Sequence, residues 1–86
     1  MPEKVNIPNA IKVGDFFESC SFHPCLCISV DETGRHIEGV SLVNGILHNC
    51  NVVHCGIRKL SLQEAIEWKL SGPKFIENME VDQPWW

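Results

Sequence analysis

Asn44-Gly45 is the strongest local constraint on what this chain can fold into. It lies between two strand-like runs, residues 35–43 and 46–53. Asn-Gly in that setting favours a type I′ hairpin, whose two central residues take positive φ and whose twist matches the flanking strands. The pairing it predicts sets Val43 opposite Ile46, Leu42 opposite Leu47 and Ser41 opposite His48. One antiparallel hairpin is thereby expected near the centre of the chain, and its neighbours are read outwards from it.

Upstream, Asp31-Glu32-Thr33-Gly34 is a second turn, with Gly where positive φ is tolerated. Before it, Pro24, Leu26, Ile28 and Val30 alternate with Cys25, Cys27, Ser29 and Asp31. Alternation of period two makes one strand face apolar and the other small and polar. Ile37 and Val40 fall out of step around Gly39, which predicts a β-bulge there. Residues 11–18 read as a first strand, with a bend at Gly14, and residues 57–60 as a short fifth.

A single helix follows. Ser61-Leu62-Gln63-Glu64 is a capping box, in which Ser61 accepts from the Glu64 N–H and Glu64 reaches back to Ser61. Leu62, Ala65, Ile66 and Leu70 recur at helical spacing and are expected to face the core, with Trp68 at the border of that stripe. Gly72 is placed for a left-handed cap, and Pro73 forbids continuation, so the helix spans residues 62–71.

The fold expected is mainly β with one C-terminal α-helix, a small five-stranded antiparallel and partly open barrel. In strand count and strand length it resembles the Src-homology-3-like barrels; a β-meander sheet with the helix across one face is the alternative. Residues 1–10 read as an irregular leader, 11–73 as the single domain, and 74–86 as a partly ordered tail. At 86 residues the chain has room for one core.

Charge narrows the function. Eleven Asp and Glu stand against seven Lys and Arg, for a net charge of −4, and the basic residues are scattered. Phosphate binding calls for a basic face, so nucleic acid is not an expected partner. An acidic surface suits a basic protein partner better. No leader of the secretory type and no apolar run of membrane length is read from the sequence, so a cytoplasmic monomer without membrane contact is expected. Its five cysteines are accordingly expected to be free thiols.

Two clusters carry soft metal ligands: His23, Cys25 and Cys27, then Cys50, His54 and Cys55, with His48 nearby. Zinc needs a tetrahedron of such groups, usually from paired cysteines on a tight knuckle. Cys25 and Cys27 on an extended strand, and Cys50 with Cys55 one residue too far apart, do not give that knuckle. Small half-buried residues on a barrel wall are the expectation, with no metal or cofactor and zinc as the alternative. A thiol enzyme built on Cys55 is further off, because adjacent His54 points to the opposite face of a strand. No catalytic residue is assigned.

The tail offers one more feature. Residues 74–81 alternate weakly and could add an edge strand, and Trp85 and Trp86 end the sequence given. Tryptophan is enriched at binding hot spots, so this pair is the candidate partner-binding element. The expected arrangement has Phe75 and Ile76 touching the domain and the two tryptophans less well held. The sequence thus points to a non-enzymatic domain that binds another protein.

Overall fold

The computed structural model describes residues 2–76 and 84–86. Six antiparallel strands form a half-barrel followed by one helix. The strands are β1 (Glu3–Lys4), β2 (Phe16–Glu18), β3 (Pro24–Val30), β4 (His36–Ser41), β5 (Leu47–Asn51) and β6 (Arg58–Leu60); the helix is α1 (Leu62–Ser71). Their order in the sheet is β1-β6-β2-β3-β4-β5. The strand count therefore exceeds the expected five by one. The extra strand comes from the leader, where Glu3 and Lys4 pair with Lys59 and Arg58. The first strand is also shorter than expected, because Asp15 caps a turn by accepting the Lys12 N–H at 2.9 Å and donating its own to the Lys12 carbonyl.

The central hairpin departs from a type I′ turn. Ser41 exchanges backbone bonds with Ile46 and Gly45, leaving Leu42, Val43, Asn44 and Gly45 as a four-residue loop. Val40 now faces Leu47 and Gly39 faces His48, a shift of two residues that keeps every side chain on its expected face. Two local bonds explain the change. The Asn44 side chain accepts the Ile46 N–H at 3.0 Å, and the Leu42 N–H donates to the Pro24 carbonyl at 2.9 Å. Of the two central residues only Gly45 takes positive φ, at 74°.

Gly39 does mark an irregularity, but the extra residue is on the partner strand. Cys27 pairs with Gly39 and Ser29 with Glu38, so Ile28 is the bulged residue of β3. Gly39 is required for another reason. A Cβ there would lie 2.6 Å from the Phe17 ring, which rests directly on the glycine.

The two faces of the sheet bury different material. The concave face holds Phe17, Cys25, Cys27, Ile37, Cys50 and Val52, joined by Ile11 and Ile57. The cysteine face of β3, expected to be the polar one, is thus the inner one. The opposite face is covered by α1, which packs Ala65 and Trp68 against Leu60, Phe16 and Leu42.

The capping box forms as expected: Ser61 Oγ accepts the Glu64 N–H at 3.1 Å, and Glu64 Oε1 accepts the Ser61 N–H at 2.8 Å. Gly72 ends the helix with φ 88° and ψ 167°, an extended mirror-image conformation instead of the left-handed cap. The buried stripe is not the expected one. Leu62, Ile66 and Leu70 are 60%, 48% and 75% exposed, while Trp68 is fully buried. Trp68 turns inward because its indole N–H finds a partner, donating to Glu18 Oε2 at 2.6 Å.

Candidate functional site

Three thiols lie near one another, and each arrives by a different route. Cys20 sits at the tip of the β2–β3 turn. That turn is drawn tight by Ser19, whose hydroxyl accepts the N–H groups of Ser21 and His23, both at 3.3 Å. The constraint holds Phe22 at φ 65°, which a bulky residue adopts only under such compulsion. Cys50 lies on β5 facing the concave core. Cys55 arrives from the β5–β6 connection, organised by Asn51. The Asn51 carbonyl accepts the Cys55 N–H at 2.8 Å, and its side chain accepts the Val53 N–H at 2.9 Å. This turn closes on sulfur: the Asn51 N–H donates to Cys55 Sγ at 3.2 Å.

Cys20, Cys50 and Cys55 are near enough to influence one another's ionisation. Cys20 Sγ also points at the Cys55 carbonyl oxygen, 3.8 Å away. Accessibility is graded across the group: Cys20 is exposed, Cys55 half-buried and Cys50 buried. Burial pushes the Cys20 thiol up to about 12, with hydrogen bonding to Cys55 and the Cys50 charge acting in the same direction. Cys25 is pushed up to about 12 as well, by burial and then by the nearby Cys50. Cys50 is raised, chiefly by burial. A nucleophilic cysteine needs the opposite shift. All five cysteines are free thiols.

A second group adjoins the first. His23 Nδ1 is 2.8 Å from Ser41 Oγ, and the His23 ring lies 4.6 Å from that of His48 and 5.5 Å from that of Trp85. Burial lowers the pKa of both histidines, and the His48 charge lowers His23 further. Both are therefore held towards neutral imidazole, able to stack. Ser41 is buried and its hydroxyl also accepts the Val43 N–H at 3.1 Å, so it anchors the β4–β5 loop.

The clusters read from the sequence are thus redistributed. His23 leaves β3 for the turn before it, Cys27 stays in the core, and His54 is exposed on the far side of its turn. Cys50 and Cys55 do come near each other, and Cys20, from the β2–β3 turn, lies beside Cys55. Among the described residues, no three His, Cys, Asp or Glu side chains are already disposed around one point to hold a metal ion.

The tail docks through the residues expected to be loosest. Trp85 donates its indole N–H to the Phe22 carbonyl at 3.0 Å, and Trp86 meets the Phe22 ring edge-on at 6.3 Å. Trp85 is half-buried, whereas Phe75 is exposed. The expected edge strand over residues 74–81, with Met79 and Val81, falls largely on 77–83, which lie outside the described residues.

Beside the thiols is a cavity of about 490 Å³. Cys20, Cys55, Lys4 and Phe22 line it, together with the buried pair of Glu18 and Arg58. Arg58 grips Glu18 through Nε at 2.8 Å and Nη2 at 2.6 Å, and donates to the Phe75 and Lys74 carbonyls. Its guanidinium also lies over the Trp68 ring, 5.6 Å from the centroid. The pair is a saturated structural anchor, and nothing in the local sequence announces it, since its members are 40 residues apart.

The chain matches no family model, no curated protein and no solved structure. No helix among the described residues is long and apolar enough to cross a membrane.

Proposed function

We propose that this chain is a non-enzymatic, cytoplasmic protein-binding module and that it binds its partner through the outer face of α1. The observation that carries the reading is the stripe of Leu62, Ile66 and Leu70, spaced four residues apart and all exposed. Such spacing lines one helix face, and a second amphipathic helix laid along it would supply the missing apolar cover. The net charge of −4 favours a basic partner, so the occupant proposed is a basic amphipathic helix of another protein. Free thiols suit a reducing compartment. The likeness to Src-homology-3-like barrels is retained as part of this reading. Strands β2 to β6 supply five strands with the last paired to the first, and β1 is an addition at the edge.

The test uses two synthetic helical peptides, one of Leu and Lys and its twin of Leu and Glu. The Lys peptide should shift the amide resonances of Leu62, Ile66 and Leu70 saturably, and Leu70→Gln should weaken it severalfold. Equal binding of both peptides, or shifts confined to another face, would overturn the proposal.

A further inference from the structure

Among the described residues the sheet has two edges, and one of them is guarded. Strand β1 is two residues long, and its side chains, Glu3 and Lys4, are exposed charges that discourage a further strand from pairing there. Strand β5 is the other edge, and its five residues, Leu47–Asn51, carry no lysine, proline or acid. The direction of its backbone groups follows from the bonds at its two ends. The Ser41 N–H donates to the Ile46 carbonyl and the Val52 N–H to the Arg35 carbonyl, so the even-numbered residues bond inwards to β4. The N–H and C=O groups of Leu47, Asn49 and Asn51 therefore point outwards. Asn51 is already closed, donating to Cys55 Sγ and accepting the Cys55 N–H. Leu47 and Asn49 are exposed, and neither forms another backbone bond among the described residues.

We infer that two copies of this chain pair antiparallel along β5, about a two-fold axis that sets His48 opposite its own counterpart, to give one continuous sheet. In that register Leu47 of each copy faces Asn49 of the other. The two facing pairs exchange four N–H to C=O bonds, which use every open group on the edge. An axis at Asn49 would give only two, because it sets Leu47 against the closed Asn51. The match favours a second copy over a longer strand from another protein. Such a strand would gain nothing beyond these residues, since the Gly45 N–H is taken by Ser41 on one side and Asn51 by Cys55 on the other. Charge allows the pairing. Each copy carries −4, yet the facing strands hold no acid, and Glu38, the neighbour of Asn49 on β4, stands one strand back. Leu47, 52% exposed, gains apolar cover from the leucine of the other copy, which lies diagonally across on the same face. The interface is small, so the dimer forms and dissociates with concentration. It replaces the monomer expected from the sequence and does not involve the α1 stripe.

Sedimentation equilibrium of the reduced full chain should show an average mass that climbs with concentration from that of one chain towards that of two. Amide hydrogen exchange over the same concentrations should show protection rising at Leu47 and Asn49. Asn49→Pro removes an outward N–H without touching the β4 ladder and should weaken association about tenfold or more. Leu47→Lys, a surface change that brings two like charges into the interface, should do the same. Circular dichroism checks that both variants are folded. Leu70→Gln, on the α1 stripe, should associate as the wild type does. Three results would overturn the pairing: a mass that stays that of one chain at millimolar concentration, protection of Leu47 and Asn49 that does not vary with concentration, or association that survives both edge variants or is lost in Leu70→Gln.

Discussion

The concave face of the sheet and the face under α1 solve the same burial problem with opposite materials. Inside the half-barrel the filling is small and adaptable: Cys25, Cys27 and Cys50 share the space with Phe17, Ile37 and Val52. Free cysteine behaves there as a compact hydrophobe that leaves room for an aromatic ring to lie on Gly39. Under the helix one large residue, Trp68, does most of the filling, and its polar edge must be satisfied by Glu18. Glu18 in turn must be neutralised, which Arg58 does from the neighbouring strand. One face is tolerant, and the other depends on a chain of three polar groups, none of which can be removed alone.

The largest expected effect follows from that dependence. Glu18→Gln leaves the Arg58 guanidinium buried without its counter-charge and should cost about 3–5 kcal/mol in a denaturant melt. A loss under 1 kcal/mol would mean that water reaches Arg58, and the contrast between the faces would fail. On the concave side Gly39→Ala forces a Cβ to within 2.6 Å of the Phe17 ring. It should cost about 1–3 kcal/mol, because the ring must move in a packed core. An unchanged melting temperature would show the concave face to be looser still. Smaller again is Ser61→Ala, which deletes the acceptor for the Glu64 N–H and should cost about 1 kcal/mol. A null result there would place the start of α1 elsewhere.

What the sequence made legible divides along the same line. Signals contained within a few residues held: the capping box at Ser61, the Pro73 stop, and the alternation that makes β3 a strand. The Asn44-Gly45 signal failed in detail because Leu42 is partly buried against the helix cluster and the Asn44 side chain offers its own turn. Which side of an element faces inwards was the harder question. Alternation in β3 reveals two faces but not that both are covered, so from sequence alone the apolar face is assigned to the core and the cysteine face to the wall. The grouping of the thiols was half legible. Cys50 and Cys55 stood out by proximity, whereas Cys20 needed the β2–β3 turn and Arg58 needed the pairing of β2 with β6.

The smallest expected change in stability is the one that matters most for function. By spacing alone Leu70 belongs with Ala65 in a core-facing stripe, and a core leucine cut back or made polar costs about 2–5 kcal/mol. The structure turns α1 so that Trp68 takes the inner position and Leu70 is left 75% exposed. Leu70→Gln should then change stability by no more than about 0.5 kcal/mol, as substitutions at free surface positions do. Glutamine keeps good helix propensity and adds no charge to the last turn, so neither propensity nor the helix dipole clouds the comparison. A loss of 2 kcal/mol or more would show that the helix is rotated from its described position and that the stripe belongs to the core. If stability is kept while binding of the basic peptide is lost, the same variant separates what holds the domain together from what it presents to a partner.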